Sequence, residues 1–144
     1  MKQQLIMNGA NIVSMFCRLN VNTKKDLPLR SSEIGLLIYV VKSEKPVTPI
    51  MAAEFFKVSK PMIAAMVKTL VAKGYLVKIP LEVDRRSYNL MPTNKAKIVT
   101  ETVYDEYFKA MQLLMEQMGI EKFKNMIQLL ELANTILSEE KNNG

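Results

Sequence analysis

The sequence predicts a mainly α chain with one small β-hairpin, and three observations carry that prediction. Apolar residues recur at three- and four-residue steps along most of the 144 residues, the spacing of amphipathic helices. One segment near the middle, from Tyr75 to Leu90, switches to alternation around a turn. Five glycines and six prolines leave little room for long loops. The hydrophobic share, 49% against 24% charged, is slightly rich for a monomer of this size and hints at a buried interface between copies.

The elements follow in order. Over residues 2–21, Leu5, Ile6, Ile12, Val13, Phe16 and Leu19 form the stripe of a first helix. A polar break at 22–28 ends on Pro28, which bars helix at the residue before it. Ser31 or Ser32 caps a second helix over 33–42, and its near-continuous apolar centre marks it as central to the core. Gly35 within it reads as a close-packing position. A turn at 43–46 leads to Pro46-Val47, which offers one short strand pairing. Thr48 caps a helix over 49–56 with Pro49 at its first position. Its expected inward residues are Ile50, Ala53 and one of Phe55 and Phe56.

Lys57-Val58 is the next turn, and Ser59 caps a fourth helix that tolerates Pro61 in its first turn. That helix runs to about Lys73, turns Ile63, Met66, Val67 and Leu70 inward and stops at Gly74. Tyr75, Val77 and Ile79 alternate with Leu76 and Lys78 as a strand, and Tyr88 and Leu90 form the inward face of its return. Thr93 caps a long helix to about Met118 with Val99, Val103, Tyr107, Ala110, Leu114 and Met118 on one stripe. Gly119 stops it, and a last helix over 121–138 presents Phe123, Ile127, Leu130, Ala133 and Leu137 before a polar tail.

Composition excludes several function classes. With no His and a single Cys, zinc sites built on His or clustered Cys are ruled out, as are internal disulfides and the Ser-His and Cys-His nucleophile pairs. No metal and no cofactor is expected. No apolar run reaches the roughly 18–20 residues that span a bilayer, and the start lacks the pattern of a secretory leader, so the expected location is the cytoplasm. Asp105, Glu106 and Glu116 lie among lysines on the long helix and read as a solvated face, and the glycines Gly35, Gly74 and Gly119 stand alone instead of forming a phosphate loop. The chain is not expected to be an enzyme.

The net charge of +6 is unevenly spread. Residues 42–86 carry nine Lys/Arg against four Asp/Glu, a net of +5, whereas residues 87–144 carry six Lys against eight Asp/Glu, a net of −2. The basic excess peaks on a stretch, 47–91, that reads as helix, tight turn, second helix and a hairpin with Asp84-Arg85-Arg86 at its tip. A helix able to enter a groove, followed by an arginine-tipped β-ribbon, is suited to double-stranded DNA. This gives one domain over 1–144, with a winged helix-turn-helix core at 30–92. The flanking helices at 1–29 and 93–144 carry wider apolar faces than such a core can cover, and pairing them with a second copy makes a homodimer.

The order of elements, with VSKPMIAAMVKTLVAKGYLVK followed by VDRRSYNLMPTNKA, resembles the MarR family of bacterial transcription regulators over nearly the whole chain. The matching motifs are the Ser59-led helix, Lys73-Gly74, Asp84-Arg85-Arg86 and Leu90-Met91-Pro92-Thr93. The resemblance implies a homodimer whose two recognition helices occupy successive major grooves of a pseudo-palindromic operator, with the wings in flanking minor grooves. It further implies a repressor released by a small molecule or an oxidant.

Candidate DNA-binding residues follow. Arg86 suits a narrow minor groove, Asp84 orients it and Arg85 neighbours a phosphate. The competing reading of this turn is a solvated internal ion pair. On the second helix of the pair Ser59, Lys60, Met62, Ala65 and Lys68 face outward. Ser59 and Lys60 sit where free N–H groups favour phosphate. Pro61, Met62, Ala64 and Ala65 stand where the family often has Ser, Thr or Arg, and they cannot make bidentate bonds to bases. Phosphates, wing and DNA shape are therefore expected to carry much of the specificity. The same apolar surface supports the alternative of a winged-helix protein-interaction module without strong DNA binding.

Two further features have open readings. Some relatives sense peroxide with a first-helix cysteine near tyrosines of the second helix, which makes Cys17 a candidate redox sensor with Tyr39 as its neighbour; an inert buried thiol that behaves as a small hydrophobe is the reading the residues favour. Met15, Met111, Met115 and Met118, among eleven methionines, favour core filling over a ligand pocket, while the resemblance implies a small apolar or aromatic effector.

Overall fold

Four of the helices start where the sequence provides a group to take up the free N–H groups of a first turn. The computed structural model describes residues 1–20, 29–84 and 86–143; the break at 22–28 lies outside them. Its elements are α1 (Lys2–Asn20), α2 (Ser31–Lys42), α3 (Pro49–Phe56), α4 (Lys60–Ala72), β1 (Leu76–Pro80), β2 (Tyr88–Pro92), α5 (Asn94–Met118) and α6 (Ile120–Asn143). Thr48 Oγ1 accepts from the Met51 N–H at 3.3 Å, Ser59 Oγ from Met62 at 3.2 Å and Thr93 Oγ1 from Ala96 at 3.2 Å. The start of α2 differs from expectation. Its N-cap is Arg30, and the Glu33 carboxylate reaches back to the Arg30 N–H at 3.0 Å, so Ser31 and Ser32 lie inside the helix. The helix ends are equally local. Lys57 turns the chain in the left-handed region at φ 54°, and Gly74 (φ 83°) and Gly119 (φ 89°) stop α4 and α5.

The core is built around α2, of which Glu33, Ile34, Gly35, Leu36, Leu37, Ile38 and Val40 are buried. Against it pack Ile63, Val67 and Leu70 of α4, Leu76 and Leu90 of the hairpin and Ala96 and Val103 of α5. β1 and β2 pair antiparallel, with Val77 opposite Met91 and Lys78 opposite Leu90. Val47 adds one bridge to this ribbon, its carbonyl accepting from the Leu90 N–H at 2.7 Å. Two expectations change. Ile50 is 48% exposed, and α3 instead buries the small pair Ala52 and Ala53, which lets it lie close on its neighbours. On β1 the buried residue is Leu76, and Val77 and Ile79 form the outer, solvated face.

The long stripe of α5 is placed as expected, with Val103 buried and Val99, Tyr107, Ala110, Leu114 and Met118 half-buried. α6 runs on to Asn143, so residues 139–143 expected to fray are helical. Among the described residues α1 and α6 bury no side chain in this chain. Leu5, Ile6 and Leu19 are more than 70% exposed. Of the methionines assigned to core filling, Met15 on α1 and Met115 on α5 are exposed, and Met111 and Met118 on α5 are half-buried. Among the described residues no helix is long and apolar enough to cross a membrane.

Gly35 is a close-packing position. A Cβ built on it lies 2.8 Å from Tyr107 Oη, with the next ring atom at 3.7 Å. In an open helix Gly→Ala gains up to about 1 kcal/mol. Here the ring, held edge-on by Phe108 at 4.9 Å, has to move, at an overpacking cost of about 1–3 kcal/mol. Urea denaturation should therefore show Gly35→Ala less stable than the parent chain, and Tyr107→Phe in the same chain should restore most of the loss by removing the one clashing atom.

Candidate nucleic-acid interface

α4 divides into two faces because its apolar β-branched and leucine residues fall at three- and four-residue spacing. Ile63, Val67 and Leu70 are fully buried, Met66 and Val71 pack half-buried beside them, and the opposite face meets water. Ser59, Lys60, Pro61, Met62, Ala64, Ala65 and Lys68 are all exposed, with Met62 at 53%. The structure thus brings the α4 residues singled out by sequence onto one outward surface. Ser59 is already used as the cap acceptor, and Thr69 donates its hydroxyl to the Ala65 carbonyl at 3.2 Å. The lysines at the two ends are left to offer charge.

The end of α4 is tied to the wing and to α5 by one cluster of bonds. Thr93 Oγ1 donates to the Gly74 carbonyl at 2.7 Å while accepting from Ala96, and the Thr93 N–H donates to the Tyr75 carbonyl at 3.1 Å. Lys95 Nζ donates to the Lys73 carbonyl at 2.6 Å and lies 4.5 Å above the Tyr75 ring. An ammonium on the last carbonyls of a helix meets the negative end of its dipole, so Lys95 stabilises the orientation in which α4 enters the hairpin. Sequence reasoning missed Lys95, and only its place two residues after the Thr93 cap marks it.

In the wing, Asp84 works through the backbone. Its Oδ1 accepts from the Arg86 N–H at 3.0 Å, its Oδ2 from the Ser87 hydroxyl at 3.3 Å, and its carbonyl from the Ser87 N–H at 3.0 Å. This Asx turn fixes the chain direction at the tip and leaves Arg86 exposed. Arg85 lies outside the described residues. At the ribbon's side, Lys78 Nζ lies 4.8 Å above the Tyr88 ring. Cys17 is exposed on α1 and not the buried thiol expected, and the ring of Tyr39 is stacked on Phe55 at 4.4 Å.

A cavity of about 440 Å³ opens where α2, α3 and α5 meet. Tyr39, Phe55, Phe56, Tyr104, Tyr107 and Phe108 line it, with Lys42 and Ser43 at the rim. Six of the chain's ten aromatic residues are gathered there, and the Lys42 ammonium sits 5.1 Å above the Tyr104 ring. Sequence reasoning read the methionines as core filling and missed this site, which no methionine lines. The Phe55-Phe56 doublet and the i, i+3, i+4 spacing of Tyr104, Tyr107 and Phe108 were the available signal.

Burial raises the Tyr107 phenol above its ordinary value of 10.0. A folded value above the unfolded one means the neutral phenol's stabilisation is complete below about pH 10 and is lost as the pH climbs through the folded value. Thermal unfolding followed from pH 9 to 11.5 (about the range of tyrosine ionisation) should show a loss that is smaller in Tyr107→Phe. Absorbance at the tyrosinate band should lose its latest-titrating component in the same variant.

No family model and no curated protein matches this sequence. Solved structures do match. A MarR protein from Peptoclostridium difficile is 20% identical, with 97% of this chain and 91% of that chain covered at a TM-score of 0.74. A MarR family transcriptional regulator from Streptomyces coelicolor, solved in complex with DNA, is 14% identical at 0.80, covering 95% and 92%. The S. aureus MepR–DNA complex is 16% identical at 0.73, covering 88% and 93%. The chain has the winged-helix fold of these MarR regulators.

Proposed function

We propose that this chain is a MarR-type regulator that binds a pseudo-palindromic operator as a homodimer and represses transcription. An apolar or aromatic small molecule entering the cavity between α2, α3 and α5 then releases it. The observation that supports the DNA reading is the outward face of α4, with Lys60 and Lys68 at its ends, leading directly into a hairpin whose tip carries Arg86. In this reading Ser59 and Lys60 meet phosphate at the helix N-terminus, Met62 and Ala65 face base edges and Lys68 meets the backbone farther along. Arg86 enters the minor groove, and Arg85 neighbours a phosphate. Proteins of this fold have been solved in complex with DNA, which supports DNA as the partner.

The bare apolar faces of α1 and α6 support the homodimer. Two copies placed back to back cover both faces with two-fold symmetry and set the two α4 helices at a fixed spacing. The aromatic cavity supports the effector. It falls within the size range of small-molecule sites, about 300–1,000 Å³, and it sits where the DNA-binding core meets the long helix.

Fluorescence titration of the chain with a duplex from its own upstream region tests this. Affinity should fall steeply, by about three orders of magnitude or more, between about 50 and 200 mM salt. Arg86→Ala should weaken binding about ten-fold at fixed salt. A flat salt response would instead favour the protein-interaction module. Sedimentation at micromolar concentration should give twice the 16.4 kDa chain mass, and a clean monomer would sink the two-headed arrangement.

A further inference from the structure

Building on the DNA-binding reading above, we infer that α4 selects its sequence by the C5-methyl groups of thymine, with hydrogen bonds to bases contributing little. In the major groove every base edge offers a donor or an acceptor, and thymine alone adds an apolar group. A helix reads donors and acceptors with Arg, Lys, Asn, Gln, Asp or Glu, and of these the α4 sequence KPMIAAMVKTLVA holds only Lys60 and Lys68, which this reading places on phosphates. Of the hydroxyl groups at hand, Thr69 donates to the Ala65 carbonyl, and Ser59 at the N-cap accepts from the Met62 N–H and keeps its hydroxyl hydrogen for phosphate.

What α4 does present is an apolar patch. Met62, Ala64 and Ala65 are exposed between Lys60 and Lys68, which stand about 12 Å apart along the helix axis at 1.5 Å per residue. With the lysines on flanking phosphates, the patch lies over the base edges. A thymine methyl buries apolar surface against it. A cytosine there lacks the methyl and gives up that burial, while its N4 amine and the thymine O4 occupy the same place on the edge and lose water alike. The patch therefore favours T·A pairs over C·G pairs by that one contact.

The test begins with selection of duplexes of about 30 base pairs from a random pool by the full chain, a length that accommodates two half-sites. The selected duplexes are then remade with uracil in place of thymine, which deletes the methyl and keeps every hydrogen-bonding group. Binding should weaken about fourfold for each methyl group that α4 covers. Replacing a covered T·A pair by C·G should weaken binding, and 5-methylcytosine at that position should recover part of the loss. Met62→Ala should shrink the thymine-to-uracil ratio, whereas Arg86→Ala should weaken both duplexes alike. Equal affinity for thymine and uracil duplexes, with a steep salt dependence intact, would overturn the inference and leave the DNA-binding reading standing. Failure to bind or enrich any duplex would overturn both.

Discussion

The rest of the molecule is arranged around a helix that cannot face water. Seven residues of α2, from Glu33 to Val40, are buried, so the chain has to supply cover on every side. α4, the hairpin and α5 supply that cover, and α5 also holds the end of α4 through its cap Thr93 and through Lys95. The close approach of α5 depends on Gly35, where the Tyr107 hydroxyl occupies the space a side chain would take. Apolar burial at about 25 cal/mol per Å² drives this packing, and the buried apolar residues described run from Leu29 to Val103. The terminal helices lie outside that range, which is why their apolar faces are left over.

Polar groups in the candidate interface are economical. The carbonyls that α4 leaves at its end are taken by Lys95 and Thr93, and the wing tip is held by Asp84 through the Arg86 N–H. These bonds fix where the backbone goes and leave the charged side chains of Lys60, Lys68 and Arg86 in water. Such an arrangement separates two duties: exposed cations attract a polyanion over distance, and the fixed backbone decides where the contact falls. Lys95 belongs to the second duty although it is itself a cation, because its charge is spent on the Lys73 carbonyl and the Tyr75 ring.

Much of this was legible in the residues, and what was missed has identifiable physical causes. Thr48, Ser59, Thr93, Gly74 and Gly119 mark their elements because capping and positive φ are local chemistry, satisfied within four residues. The stripe of α5 was legible because seven turns of repetition leave only one face to bury. Ile50 misled because α3 has only eight residues; over two turns an isoleucine and a pair of alanines define the face equally well, and the neighbours' distance decides. On β1, Val77 and Ile79 formed the larger apolar set, yet a strand apolar on both sides does not fix its own phase. The pairing of Lys78 with Leu90 does. The aromatic cavity was out of reach because Tyr39, Phe55 and Tyr104 meet only in three dimensions.

The position of that cavity explains why an effector there would be felt at the DNA. A guest changes affinity for DNA only if it fits one arrangement of the flanking elements better than another. The walls are contributed by α2, α3 and α5, so a guest that spreads them moves α3 relative to α5. Phe55 and Phe56 are the last two residues of α3, and only Lys57, in its left-handed turn, and Val58 separate them from Ser59, the cap of α4. A short helix ending in a single constrained residue has little slack, so displacement of the Phe55-Phe56 pair is transmitted to the start of α4. In the proposed dimer two such helices have to meet grooves at one spacing, and a shift of a few ångströms in each breaks the match without unfolding either. The release mechanism thus requires only that the aromatic stack of Tyr39 on Phe55 have two packings, one empty and one occupied.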